Sequence, residues 1–134
     1  MLGGRYRHAR AGGIEEGELT PNQILVTAPY NVQVNRLQQR LAGRARVGTV
    51  DRFQGQEAPV AIHSLTASSA EDAPRGLCFL LEPNRLNVAI SRAQCLSIVV
   101  GSPGLGNGIA NTVAEAEQIN RLCRLSNKNG DRQQ

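Results

Sequence analysis

An α/β layer fold with a mostly parallel sheet is what this sequence predicts, on three observations. Short apolar runs alternate with stretches of helical period. The runs are built from Leu, Ile, Val and Ala, and Tyr6, Tyr30, Phe53 and Phe79 are the whole aromatic complement, a composition suited to parallel strands covered by helices. At 134 residues the chain has room for one modest core, so these runs belong to a single domain.

Taken in order, residues 1–18 carry five glycines and scattered charge without a period, and are expected to form a flexible leader. Thr20-Pro21 has the look of an N-cap followed by proline, but the next residues suit a strand better. Ile24-Leu-Val-Thr-Ala28 is a short apolar run between polar neighbours, the composition of a buried strand, and Pro29 ends it. Asn31 opens a helix to about Leu41, with Val34, Leu37 and Leu41 on one face and Arg36 and Arg40 pointing away. Gly43 is its stop.

Arg46 to Val50 is the second expected strand and Pro59 to Leu65 the third. Thr66 to Arg75 is polar and reads as a surface loop. A helix is expected over about Asn84 to Ala93, because Leu86, Ala89, Ile90 and Ala93 recur at i, i+3, i+4 and i+7. Leu96 to Val100 is the fourth strand, and Gly101 to Gly108 a glycine-rich turn. A last helix runs from Ile109 to Leu125, supported by a Glu117–Arg121 pair one turn apart. The polar residues 126–134 are expected to be a disordered tail, which leaves 19–125 as the folded domain.

The net charge is +4, and 14 of the 15 cations are arginines. Arginine suits bidentate contact with phosphate, and a basic surface favours nucleotides or nucleic acid; codon bias toward arginine accounts for the same numbers. The three cysteines, Cys78, Cys95 and Cys123, are too few and too far apart for a disulfide framework or a zinc knuckle, and small buried thiols in a reducing cytosol are expected. The longest apolar runs, such as Leu77 to Leu81, fall far short of a membrane span, and no apolar stretch follows the N-terminal arginines as in a secretory signal. A cytoplasmic setting without membrane contact is the expectation.

Two phrases carry the chemistry. In Val47-Gly-Thr-Val-Asp-Arg-Phe-Gln-Gly-Gln-Glu57 a strand runs into a turn, which is expected at the carboxyl edge of the sheet, where ligands of open α/β sheets sit. Gly55 lets backbone approach a phosphate, Gln54, Gln56 and Glu57 offer hydrogen bonds to sugar hydroxyls or partner residues, and Thr49 offers one to a nucleic-acid phosphate. An ordinary polar turn has the same composition. In Asn84-Arg-Leu-Asn-Val-Ala-Ile-Ser-Arg-Ala93, Arg85 and Arg92 lie seven residues apart, so a continuous helix projects both along nearly one line. An arginine held this way can stabilise charge on a transferring γ-phosphate. A solvated basic face fits the same spacing.

As an ordered pair, the phrases resemble two motifs of superfamily 1 helicases of the RNA-surveillance and Dna2-like branch. Thr49 to Glu57 is similar to their motif V, Asn84 to Ala93 to motif VI, and Ile24-Leu-Val-Thr-Ala-Pro-Tyr-Asn-Val-Gln33 to motif IV. Ala73-Pro-Arg-Gly76 ahead of Phe79 resembles bacterial members fused to a RecB-type nuclease. The resemblance covers about Leu19 to Leu125. It implies a three-layer RecA-like domain, the second and C-terminal of a pair that binds ATP with Mg²⁺ in the cleft between them. Arg92 would be the arginine finger and the catalytic residue. Gly55, Glu57, Arg85 and Arg92 would form the cofactor side. Pro29, Tyr30 and Thr49 would lie toward the single-stranded DNA or RNA track, with Gln33 of less defined role. The implied partners are the first RecA-like domain and, from the bacterial likeness, a RecB-type nuclease domain.

Departures limit what this chain can do alone. It contains no G-x-x-x-x-G-K-[ST] loop and no Asp-Glu pair after an apolar strand, so the metal-binding part of the site is expected on the partner domain. The isolated chain is not expected to hydrolyse ATP. The opening strand and helix of a full second domain are expected to be missing, which makes the chain a piece of a larger protein. The alternative is a non-catalytic RecA-like module that binds single-stranded nucleic acid or a protein partner. Gly101-Ser-Pro-Gly-Leu-Gly-Asn-Gly108 follows a strand but misses the dinucleotide spacing, and His8 and His63 have no nucleophile around them.

Overall fold

A computed structural model of the chain describes residues 4–67, 73, 75–107, 110 and 112–130. Four parallel strands form its sheet: β3 (Ile24–Thr27), β4 (Arg46–Gly48), β5 (Ala58–Ser64) and β6 (Ala93–Val100), in the spatial order β4-β3-β5-β6. With its flanking helices this is the expected α/β architecture. All four residues of β3 are buried, as expected for the central run of a sheet covered on both faces.

Register decides which side chains share a face. Ile24 and Val26 pair with Val60 and Ile62, and on that face α1 (Asn31–Leu41) lays down Val34, Leu37 and Leu41. A side chain of this size contributes about 1.5–3 kcal/mol when fully buried, so this stripe is what holds α1 to the sheet. Leu25 and Thr27 alternate to the opposite face with their partners Ala61 and His63. There Leu25, Phe53 and Ala58 form a second cluster. α1 has the bounds its periodicity indicates, and it ends on Ala42 and Gly43, both at positive φ.

Two compact units are present. The first comprises Met1–Thr66 with Leu86–Val100 and contains both sheets; the second comprises Ala67–Arg85 with Gly101–Gln134. In the second, α2 (Gly76–Leu80) and a 3₁₀ turn, Pro103–Asn107, each contact α4 (Val113–Gly130), with Leu105 fully buried. Gly106 lies close enough to α4 that a Cβ there would meet the Cys123 Sγ at 3.3 Å. The helix α3 spans Pro83–Ser91.

The structure departs from the sequence reading at several places. The expected leader contains an antiparallel hairpin, β1 (Arg5–Arg10) and β2 (Gly13–Glu18). Its strands carry opposite charges, so Arg5 faces Glu18 and Arg7 faces Glu16, which also form an ion pair. Gly17 leaves room for the Tyr6 ring, whose hydroxyl accepts the Gln23 Nε2 at 3.1 Å. Period and charge scatter concealed this hairpin because its faces are polar and cross-strand attraction, not an apolar face, pairs it. Thr20-Pro21 opens a 3₁₀ turn, Pro21–Gln23, whose Gln23 Oε1 accepts the Thr20 N–H at 2.9 Å. α2 was not anticipated; the expected last helix is observed as α4 from Val113, with 109 and 111 of the expected span outside the described residues, and it continues to Gly130, so 126–130 of the expected tail are helical. Within the expected 66–75 loop, residues 68–72 and 74 lie outside the described residues, as do 131–134 of the tail.

Candidate nucleotide and nucleic-acid site

The segment Thr49–Glu57 joins the carboxyl end of β4 to the amino end of β5, and both strands are parallel to β3. It therefore crosses the sheet from one edge to the other. Gly48 is level with Thr27 and so with His63, five residues after Ala58. At ~3.3 Å per residue, the two ends of the crossing are separated by roughly 17 Å along the strands. This corrects the expectation that the whole phrase sits at the carboxyl edge. Thr49 does, whereas Glu57 lies at the amino edge of β5.

The crossing is built around one ring. Phe53, in the 3₁₀ turn Asp51–Phe53, is 4% exposed and packs on Leu25 and Ala58. Gly48 permits this: a Cβ there would stand 2.8 Å from the Arg52 Cδ and 3.1 Å from the Phe53 ring. The Arg46 guanidinium lies over the Phe53 ring at 5.3 Å and hydrogen-bonds the Gln56 side chain, fixing the far end of the crossing. Gln56 is thus an internal strut. Gly55 adopts φ +77 with open space where a Cβ would go. Gly55→Ala is expected to cost about 1–2 kcal/mol from left-handed backbone strain alone, and Gly55→Asn less, measured by denaturant unfolding.

At the carboxyl edge, the Ala28 N–H donates to the Gly48 carbonyl at 3.2 Å, which extends the β3–β4 pairing past β3 and sets Pro29 and Tyr30 beside Thr49. Both are half-buried. Tyr30 is extended, and its carbonyl accepts the Val34 N–H to start α1. The Thr49 hydroxyl accepts the Arg52 N–H at 3.4 Å, a long contact.

At the amino edge, Arg92 stands just past the last residue of α3, not within the expected helix. Its carbonyl accepts the Ala58 N–H at 2.9 Å, which begins the β5–β6 pairing and turns the chain out of the helix. Its Nε donates to the Val88 carbonyl at 3.2 Å, a helix-end group that also accepts the Ser91 hydroxyl at 3.0 Å. Among the described residues its two terminal nitrogens have no hydrogen-bond or ion-pair partner. The Glu57 Oε2 accepts the Gln94 Nε2 at 3.5 Å. Glu57, Arg92 and Gln94 are thus brought together where β5 and β6 start, with Gly55 two residues upstream. Gln94 was not singled out from sequence; its signal, an amide two residues after Arg92, is legible only once β5 and β6 are known to pair.

Arg85 is engaged elsewhere. Its Nε lies 3.0 Å from the Glu82 carboxylate, and its guanidinium covers the Phe79 ring at 4.6 Å, with Arg75 over the same ring at 5.0 Å. Because α3 ends at Ser91, the expected line of two arginines on one helix face is not formed. His63 is buried and paired, its Nδ1 2.8 Å from the Thr27 Oγ1. Burial lowers its pKa to about 4, so the ring is neutral near pH 7. All three cysteines are free, but Cys78 and Cys95 are exposed, contrary to the expected buried thiols.

An AAA domain family matches residues 10–104, well over half of the chain. The chain belongs to that family. Its relatives are named helicases. The chain is 38% identical over 95 residues to the probable RNA helicase armi of Drosophila melanogaster, covering 65% of this chain and 8% of that protein. It is 36% identical over 100 residues to the putative helicase MOV-10 of Gallus gallus, covering 63% and 10%. Against the DNA polymerase alpha-associated DNA helicase A of Schizosaccharomyces pombe it is 38% identical over 110 residues, covering 80% and 15%. The AAA domain described here is thus a RecA-like domain of a superfamily 1 helicase, and it spans about a tenth of the length of these relatives. Among the described residues of this AAA domain, no helix is long and apolar enough to cross a membrane.

Proposed function

We propose that the chain is the second, C-terminal motor domain of an ATP-dependent helicase and supplies Arg92 to the γ-phosphate of an ATP held mainly by a first RecA-like domain. The state of Arg92 carries the reading. Of the five N–H donors of a guanidinium, the Nε–H is spent on Val88, and the forked terminal nitrogens are left for a phosphate. The backbone carbonyl, tied to Ala58, fixes where that fork stands. Glu57, exposed and in reach of Gln94, would take the ribose or help close the cleft, and Gly55 would lie near the phosphate.

The residues fit ATP only in part. An arginine fork and a carboxylate stand at one edge, and Mg²⁺ would be held mainly by the first domain. When bound, the metal would neutralise charge on the phosphates, and this chain's part is to present Arg92. Arg85, paired with Glu82 and stacked on Phe79, would act by bracing the start of α3 rather than by touching nucleotide.

Pro29, Tyr30 and Thr49, together at the opposite edge, would face a single strand. The relatives' names include both an RNA helicase and a DNA helicase, so the proposed track is a single strand of either sugar. Parallel strands would keep the two proposed sites apart, as a motor needs if nucleotide and track are to be held at once. The test joins this chain to the phosphate-loop domain of its own helicase and measures single-strand-stimulated ATP hydrolysis. Hydrolysis that needs both parts supports the reading; binding of single strand with no effect on hydrolysis would favour a non-catalytic module. A RecB-type nuclease domain in the same protein is a further part of the proposal, tested by the reading frame that flanks this segment.

A further inference from the structure

From Pro29 to Val50 the chain holds four arginines and no acidic residue, although it has 11 acids in all. One of the four, Arg46, is bound internally to Phe53 and Gln56. The other three, Arg36, Arg40 and Arg44, are exposed, and among the described residues none has a hydrogen-bond or ion-pair partner. They recur every four residues. Arg36 and Arg40 sit one turn apart on α1. The left-handed cap at Ala42 and Gly43, closed by the Ala42 N–H on the Gln38 carbonyl at 3.0 Å and the Arg44 N–H on the Leu41 carbonyl at 2.9 Å, holds Arg44 just past the helix end.

We propose that this outer face of α1 and its capping turn form a second contact for the phosphate backbone of a nucleic acid, apart from Pro29, Tyr30 and Thr49. The inference rests on the nucleic-acid reading given above. α1 starts at the carboxyl edge beside Tyr30 and ends where β4 begins, so the row leads from the proposed track across the outside of the domain. Four residues of helix advance about 6 Å, a step on the scale of successive phosphates along a strand. Forked guanidinium groups suit phosphate, and exposed Asn35 and Gln39 add amide donors between them. A lipid surface fits less well. The apolar stripe of α1, Val34, Leu37 and Leu41, is turned into the core, and Val32 is the one large apolar side chain of the helix that stands well exposed.

The experiment titrates the full chain into fluorescein-labelled oligodeoxythymidylate at salt concentrations from about 50 to 200 mM and compares slopes of log affinity against log salt. Each phosphate contact to a single strand contributes about 0.7 to that slope. Replacing Arg36, Arg40 and Arg44 together by Gln should therefore make the slope shallower by about 2 and weaken binding at low salt by tenfold or more. The corresponding Arg→Lys triple should keep the slope, and single Arg→Gln variants should each lose about 0.7 of it, which separates lost charge from lost fold. Thr49→Ala, which removes a neutral hydroxyl, should lower affinity without changing the slope. An unchanged slope in the Gln triple, with the wild-type chain still binding, overturns the second contact and leaves the track reading standing. No binding by the wild-type chain overturns both. Competition by polyglutamate or by phosphatidylserine vesicles as strong as that of unlabelled strand would overturn the assignment to nucleic acid.

Discussion

Arg92→Ala, made in a helicase that contains this domain and its phosphate-loop partner, is expected to lower ATP turnover by on the order of 10³-fold or more while single-strand binding stays within a few fold. The size comes from the role: an arginine finger acts on charge that develops on the transferring phosphoryl group, so its loss falls on kcat rather than on binding. The fold should survive the change. The hydrogen bond that starts the β5–β6 pairing uses the Arg92 backbone carbonyl, which alanine keeps, and the lost Nε contact to Val88 is a helix-end cap that water can replace. Arg92→Lys sharpens the result. Lysine keeps the charge and loses the fork, so turnover should stay far below wild type with the melting temperature unchanged. Steady-state ATPase assays across single-strand concentrations make the check. Turnover near wild type in Arg92→Ala would remove the finger assignment, whatever the fold. Glu57→Gln is the companion measurement, expected to raise KM for ATP with a smaller effect on kcat.

Much of the fold was legible because its signals were local. The run Ile24–Thr27 is apolar without interruption because both its faces are buried, and α1 shows a clean stripe because one face alone packs. The hairpin β1–β2 was invisible because its pairing depends on which charge stands opposite which, a fact of register rather than of either strand alone. The site was half legible for a similar reason. Composition marked Thr49, Gly55, Glu57 and Arg92 as chemically apt. It did not show that Thr49 and Glu57 end at opposite edges, because that follows from the parallel direction of β4 and β5. Nor did it show that α3 stops at Ser91. Helical period continues through Arg92 in the sequence, and the competing demand comes from the Ala58 N–H, 34 residues away in the chain. Arg85 and Arg92 look alike in sequence, yet one is consumed by Glu82 and Phe79 and the other keeps its fork.

Acidification should destabilise this domain well above the pH at which carboxylates titrate, and His63 is the reason. Its ring is 4% exposed at the centre of the sheet, with Nδ1 at 2.8 Å from the Thr27 hydroxyl. That hydroxyl also lies 3.4 Å from the Ile62 carbonyl. Either the hydroxyl donates to Nδ1, or Nδ1–H donates to the hydroxyl and the hydroxyl donates on to the Ile62 carbonyl; in both, a second proton on the ring would put a charge in a desolvated place. Burial accordingly lowers the pKa from 6.5 to about 4. The unfolded chain therefore binds the proton more readily than the folded one. Stability from this group is fully present above about pH 6.5, and it is lost as pH falls from there toward 4. The shift corresponds to about 3 kcal/mol in total, of which about 2 kcal/mol is lost by pH 5. Denaturant unfolding at pH 7 and pH 5 reads it directly. His63→Gln keeps an acceptor for the Thr27 hydroxyl and cannot be charged, so it should flatten the pH dependence between those values while lowering stability at pH 7. Carboxylates remain in both proteins, so the difference between their slopes isolates the ring. If wild type and His63→Gln lose stability in parallel over that interval, the buried Thr27–His63 pair is not what titrates. The pair joins β3 to β5 one residue before Ala28 and the Pro29–Tyr30 turn, so weakening it at pH 5 should also loosen single-strand binding in wild type and not in His63→Gln.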